Sequence, residues 1–80
     1  MSLRLKIVTP EKVAYSGDIV SVRVPGTLGS FEILDNHAPI ISALEKGTVD
    51  YVTAEGRHQI QISGGFVEVQ KNEVSLCVEL

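Results

Sequence analysis

Two histidines, one cysteine and ten carboxylates are among the side chains of this chain that could attack a substrate, move a proton or hold a metal. His37 and His58 fall in different turns or strands, and a zinc site would need both of them plus a carboxylate to converge, which no spacing in the sequence supports. Cys77 is alone, so it closes no disulfide within the chain and anchors no thiolate metal site; a small residue in an apolar terminal strand is the simpler reading. The GxxxxGK[ST] loop, HExxH, CxxC and GxSxG are all missing, and no lysine directly follows a glycine. The acidic residues sit beside turns or at strand ends, as Glu11, Asp18, Glu45, Glu55 and Glu73 do, and read as solvated surface charge. No catalytic residue, metal or cofactor is expected. Lys71, the one lysine in a hairpin turn, lacks the flanking methionine or acidic residues of a lipoyl or biotinyl carrier.

Function in such a chain must lie in surfaces. The stretch Pro25 to His37 is the richest in unusual backbone, holding Gly26, Gly29 and Asn36, and reads equally well as a recognition loop or as a plain turn. Four aromatic residues and no tryptophan weaken a carbohydrate platform; Phe31 and Phe66 are expected to fill the core. A formal net charge of −3, with seven scattered basic residues, argues against nucleic acid.

The elements that must position these residues are strands. Leu3, Leu5 and Ile7 alternate with Arg4 and Lys6; Val20, Val22 and Val24 alternate with Ser21 and Arg23; Val67 and Val69 enclose Glu68; Val74, Leu76 and Val78 enclose Ser75 and Cys77. Such alternation buries one face of a sheet, and β-branched residues suit it. Turn signals about every 8–12 residues divide the chain into roughly 8–10 short strands. These are expected near residues 3–8, 13–15, 18–24, 30–34, 39–44, 47–54, 57–63, 66–70 and 73–79, with hairpins turning at Glu55-Gly56 and Lys71-Asn72. Residues 36–46 read equally as a short helix capped by Asn36 or as a strand begun by Pro39. The expected fold is all-β, one small two-sheet β-sandwich domain over residues 1–80, with 44% apolar residues and no run long enough to span a membrane. The single cysteine fits a reducing compartment, and no signal peptide is visible.

Three segments taken in order resemble one family. Val24-Pro25-Gly26-Thr27-Leu28-Gly29-Ser30-Phe31-Glu32-Ile33-Leu34, then His37-Ala38-Pro39, then Gly64-Gly65-Phe66-Val67-Glu68-Val69 are similar to the ε subunit of F-type ATP synthases, as are the opening Leu5-Lys6-Ile7-Val8-Thr9-Pro10 and the late Val74-Ser75-Leu76. The resemblance covers essentially the whole chain. It implies the N-terminal β-sandwich of that subunit, and a strand over residues 39–44. It also implies a non-catalytic role at the foot of the central stalk, bound to the γ subunit and to the polar loops of the c-ring, on the cytoplasmic face of the bacterial inner membrane, peripheral and without insertion.

Residue by residue, the resemblance puts the c-ring contact on Gly29, Ser30, Phe31 and Glu32, and the γ contact on Thr9, Pro10 and His37. Where family members often carry an acid this chain has Ser30, and where they have a glycine it has Glu32; alternation keeps both on one face, so the carboxylate shifts by two positions. The familiar glycine before the histidine is Asn36, which tolerates the left-handed conformation. The family usually continues into a two-helix hairpin that restrains hydrolysis and, in some members, binds ATP. These residues reach only Leu80, where that hairpin would begin, so no nucleotide binding is expected of them. A stand-alone sandwich binding peptide or sugar is the alternative.

Overall fold

The computed structural model describes residues 2–80; Met1, the first residue of the expected domain, lies outside the described residues. Nine strands and no helix form among the described residues: β1 (Leu3–Val8), β2 (Val13–Ile19), β3 (Ser21–Val24), β4 (Phe31–Ile33), β5 (Ile40–Leu44), β6 (Gly47–Thr53), β7 (Gly56–Ile62), β8 (Gly64–Gln70) and β9 (Glu73–Glu79). They make a five-stranded sheet in the order β2-β1-β9-β8-β5 and a four-stranded sheet in the order β4-β3-β6-β7. Neighbouring strands are antiparallel except β1 and β9, which run parallel in the middle of the larger sheet. This is the expected all-β sandwich.

Alternation explains the core. Leu3, Leu5 and Ile7 of β1 line up with Val74, Leu76 and Val78 of β9 and with Val67 and Val69 of β8, all buried. They meet Val22, Val24, Ile33, Val49 and Ile62 from the smaller sheet. Each such side chain contributes about 1.5–3 kcal/mol by leaving water. The core is built of aliphatic residues, and both phenylalanines lie outside its fully buried set.

At two of the four places where the chain passes between the sheets, the alternation slips by one. Residues 13–24 were expected as strands 13–15 and 18–24; instead β2 runs unbroken to Ile19 and the chain crosses sheets at Val20. The polar triplet Ser16-Gly17-Asp18 is no turn, because β2 is an edge strand whose outward side chains stay in water, paired to Lys6, Leu5 and Arg4. Tyr15 folds back over Gly17, where its hydroxyl lies 2.9 Å from the position a Cβ would take, and donates to the Asp18 carbonyl at 3.2 Å. Ile19 is therefore buried and Val20 exposed, against the expected pairing of Val20 with Val22 and Val24. A second slip at Ser63 carries the chain from β7 back to β8; there the Ser63 amide and hydroxyl both donate to the Glu79 carbonyl, at 2.7 and 3.1 Å.

The open choice over residues 36–46 resolves as strand β5, in register with β8 from Ile40↔Val69 to Leu44↔Gly65. Both expected hairpins form, the first turning at Ala54-Glu55, one residue before the expected Glu55-Gly56, with Gly56 already paired to Thr53. In the second, Lys71 and Asn72 both take positive φ (52° and 61°), the backbone of a type I′ turn whose twist matches the strands on either side.

Candidate functional site: two loops and an apolar sheet face

The segment after β3 leaves the smaller sheet and touches the edge of the larger one. Gly26 bridges Leu44, Thr27 donates to the Ala43 carbonyl at 3.1 Å, and Glu45 donates to the Pro25 carbonyl at 2.9 Å. The tip is then closed by Gly29 donating to Gly26 at 3.0 Å, which leaves Leu28 completely exposed. Gly29 and Ser30 precede β4, a three-residue edge strand held only by β3. Ser30 and Glu32 are both exposed. Glu32 meets Arg23 at 3.8 Å with both side chains about half exposed. A pair so loose and solvated is worth little, so the carboxylate stays available to another cation.

Phe31 is half-buried against the core, not a full core residue as expected, and its ring lies 6.5 Å from that of His37. The structure thus brings Phe31 and His37 together across the 34–37 turn. His37 Nδ1–H donates to the Ala38 carbonyl at 2.7 Å, which leaves Nε2 as an acceptor in the neutral ring. The turn is anchored from outside: buried Asn72, in the β8–β9 turn, accepts the Asn36 amide on Oδ1 at 2.8 Å and donates from Nδ2 to Asp35.

Thr9 and Pro10 lie elsewhere. They follow Val8, the partner of Cys77, at the Leu44–Gly65 end of the larger sheet, whereas Asn36 is tied to Asn72 at the other end. Thr9 is buried, and its hydroxyl is spent on the β1–β2 turn: it accepts the amides of Lys12 and Glu11 at 3.1 and 3.3 Å and donates to the Lys12 carbonyl. Pro10 is exposed. Thr9→Val, which keeps shape and removes the hydroxyl, is expected to cost about 1–2 kcal/mol in urea unfolding, and Thr9→Ser close to nothing. Full stability in Thr9→Val would show that the turn does not depend on the hydroxyl.

The largest feature was not anticipated from sequence. On the outer face of the five-stranded sheet, one row of paired residues reads Ala43, Phe66, Cys77, Val8 and Val13, one from each strand. Phe66 is 61% exposed, Val13 53%, and Ile41 in the next row 74%. The expectation of Phe66 as core filler is corrected: Val67 and Val69 take the inner face, so Phe66 must point outward with Glu68. The row ends in a groove of about 690 Å³ lined by Pro10, Ala43, Leu44, Phe66, Cys77 and Val78, which brings the Thr9-Pro10 turn to its rim. Beyond Ile41 its row turns polar, through Glu68, Ser75, Lys6 and Ser16, so the apolar character is concentrated in the one row. The outer face of the other sheet carries Arg23, Asp50, Arg57, Gln59 and Gln61, exposed or half-exposed, with a 2.6 Å bond from Gln59 to Asp50.

His58 is exposed on β7, stacks on Tyr51 at 5.1 Å and shares a 3.1 Å hydrogen bond with the Thr53 hydroxyl. Tyr51 also packs on Tyr15 at 4.7 Å. Burial first, then the neighbouring Tyr15, raises the Tyr51 hydroxyl above its ordinary value of 10.0. Among the described residues no three His, Cys, Asp or Glu side chains converge as metal ligands would.

Comparison with known proteins agrees with this architecture. In solved structures, a chain of the Euglena gracilis mitochondrial ATP synthase assembly containing OSCP, F1 and the c-ring matches with a TM-score of 0.90 at 19% identity, over 96% of this chain and 50% of that one. A chain of the Tetrahymena thermophila mitochondrial ATP synthase central stalk and c-ring matches at 0.83 and 16% identity, over 100% and 65%. At those identities the likeness is one of fold. In sequence, the ATP synthase epsilon chain of Leptospira borgpetersenii is 39% identical over 77 residues, that of an Anaeromyxobacter species 45% over 79, and that of Chlorobium limicola 40% over 79. The chain spans 61% and 60% of the first two relatives and 90% of the third. Residues 2–80 match the family described as the β-sandwich domain of the ATP synthase delta/epsilon chain, and with the sandwich, the loops and the relatives in agreement, the chain belongs to that family.

Proposed function

We propose that this domain is the foot of the rotary central stalk of an F-type ATP synthase. It binds the γ subunit, rests on the polar loops of the c-ring and turns with both, coupling proton flow to ATP synthesis without taking part in the phosphate chemistry. It does so as one β-sandwich unit, peripheral at the cytoplasmic face of the bacterial inner membrane. The observation that carries the reading is the uncovered apolar row from Ala43 to Val13, in a chain of this family whose relatives are named ATP synthase epsilon chains. A face of five strands, each about 4.8 Å from the next, offers an area suited to a broad partner. A stable contact takes about 800 Å² from each side.

In this reading γ lies along the larger sheet, with Thr9 and Pro10 at one end of its footprint and His37 at the other. Pro10 and the apolar groove make direct contact, while buried Thr9 shapes the turn that carries Pro10. The c-ring meets Gly29, Ser30, Phe31 and Glu32, where a free edge strand, an exposed tip and a weakly paired carboxylate suit a polar loop. The test is direct. Mixed with folded γ, the 80-residue chain is expected to co-elute from a sizing column as a one-to-one complex; separate elution at micromolar concentration would overturn the proposal.

A further inference from the structure

We infer that Asn72 is a positioning residue for the docking loop: it holds the Asp35–His37 turn, and through it His37, in the place from which His37 meets γ. The inference rests on the stalk reading above. Asn72 lies far from His37 in sequence and is 7% exposed, yet its atoms join three separate parts of the fold. Its carbonyl accepts the Arg4 amide at 2.9 Å, its Oδ1 accepts the Asn36 amide at 2.8 Å, and its Nδ2 donates to the Asp35 carboxylate. The 34–37 turn otherwise keeps itself closed through one backbone bond, His37 to Leu34 at 3.2 Å, and Asn36 within it sits at a φ of 66°. Asn36 in that conformation turns its amide out of the local backbone, and the buried Asn72 side chain supplies its acceptor across a part-buried contact. The adjacent His37 ring then sits against Phe31, with Nε2 left to accept from an N–H or O–H donor on the partner.

The turn position of Asn72 makes the test clean. Its φ of 61° suits glycine, so Asn72→Gly keeps the I′ backbone and removes only the side-chain clamp. The Asn36 amide is expected to exchange its hydrogen about tenfold faster or more in Asn72→Gly, and affinity for γ to fall about tenfold, the effect of one lost hydrogen bond to a buried group. In a His37→Ala background Asn72→Gly is expected to cost no further affinity, because Asn72 acts through His37. Exchanging the pair, Asn72→Asp with Asp35→Asn, keeps an acceptor for Asn36 and a donor–acceptor pair between the two side chains, and is expected to restore both readouts. Equal loss in the parent and His37→Ala backgrounds, unchanged affinity in Asn72→Gly, or failure of the exchanged pair to restore binding would each overturn the inference. A parent chain that does not bind γ overturns the stalk reading and the docking role with it, and amide exchange, measured without γ, separates that result from failure of the clamp.

Discussion

Replacing Phe66 by glutamate is expected to weaken association with γ about 100-fold or more and to leave the urea midpoint of the isolated domain nearly unchanged. Phe66 is 61% exposed, so its loss removes little from the core, and its outward position between Ala43 and Cys77 already accepts charge in the neighbouring Glu68. In the proposed complex the same ring is the one aromatic side chain of the apolar row. Aromatic residues so placed typically carry about 2–4 kcal/mol of binding when truncated. A carboxylate there must also be desolvated against apolar neighbours, which adds to the loss. Titration calorimetry against γ measures the effect, with Gln61→Glu on the polar outer face of the other sheet as the control expected to bind normally. Undiminished affinity in Phe66→Glu would move the γ contact off this face.

Gly65→Ala is expected to cost about 3–5 kcal/mol of folding stability, which for a domain of this size approaches the whole. Gly65 pairs with Val78 on one side and Leu44 on the other, just after the chain has crossed between sheets. A Cβ built there meets the Cys77 carbonyl oxygen and stands 2.7 Å from the Val78 Cα, both backbone atoms in the middle of a sheet that cannot swing aside. Its φ of 150° adds strain for any L side chain. Equilibrium denaturation, or loss of the folded amide spectrum, reads the outcome; a variant within about 1 kcal/mol of the parent would show that β8 and β9 do not approach as closely as described.

The strands were legible wherever alternation ran undisturbed. β1, β8 and β9 could be written down from Leu3-Leu5-Ile7, Val67-Val69 and Val74-Leu76-Val78, because inward and outward residues differ sharply in polarity there. Two of the four crossings between the sheets were not legible. At Val20 and Ser63 the period slips by one, and a slip in sequence looks the same as a turn or a bulge until the second sheet is known. Ser16-Gly17-Asp18 has turn composition, but an edge strand tolerates the same residues at small cost, and the Arg4–Asp18 ion pair at 2.8 Å lies at the surface. The proposed contacts at Gly29 to Glu32 and at His37 come from family resemblance, not from the pattern of the residues. The outward direction of Phe66 was already implied by Val67 and Val69, yet its alignment with Cys77, Val8 and Val13 depends on register across five strands. The Asn72 clamp joins residues distant in sequence and had no local signature beyond a turn dipeptide.

The parallel pairing of β1 with β9 has a consequence for how the chain acquires its structure. Of the nine strands described, β9 is synthesised last, and it occupies the centre of the larger sheet, with β1–β2 on one side and β8–β5 on the other. Until residues 73–79 emerge, these are two ribbons with open inner edges and no shared sheet. Contacts such as Arg4↔Glu73 join the first strand to the ninth, which makes folding slow relative to a helical domain of equal length. A chain broken off at the Lys71-Asn72 turn would leave β1 and β8 as long, apolar, unpaired edges, the kind that pair with other chains. Such a fragment is therefore a candidate for aggregation and proteolysis, and the final strand acts as the keystone on which the whole sandwich waits.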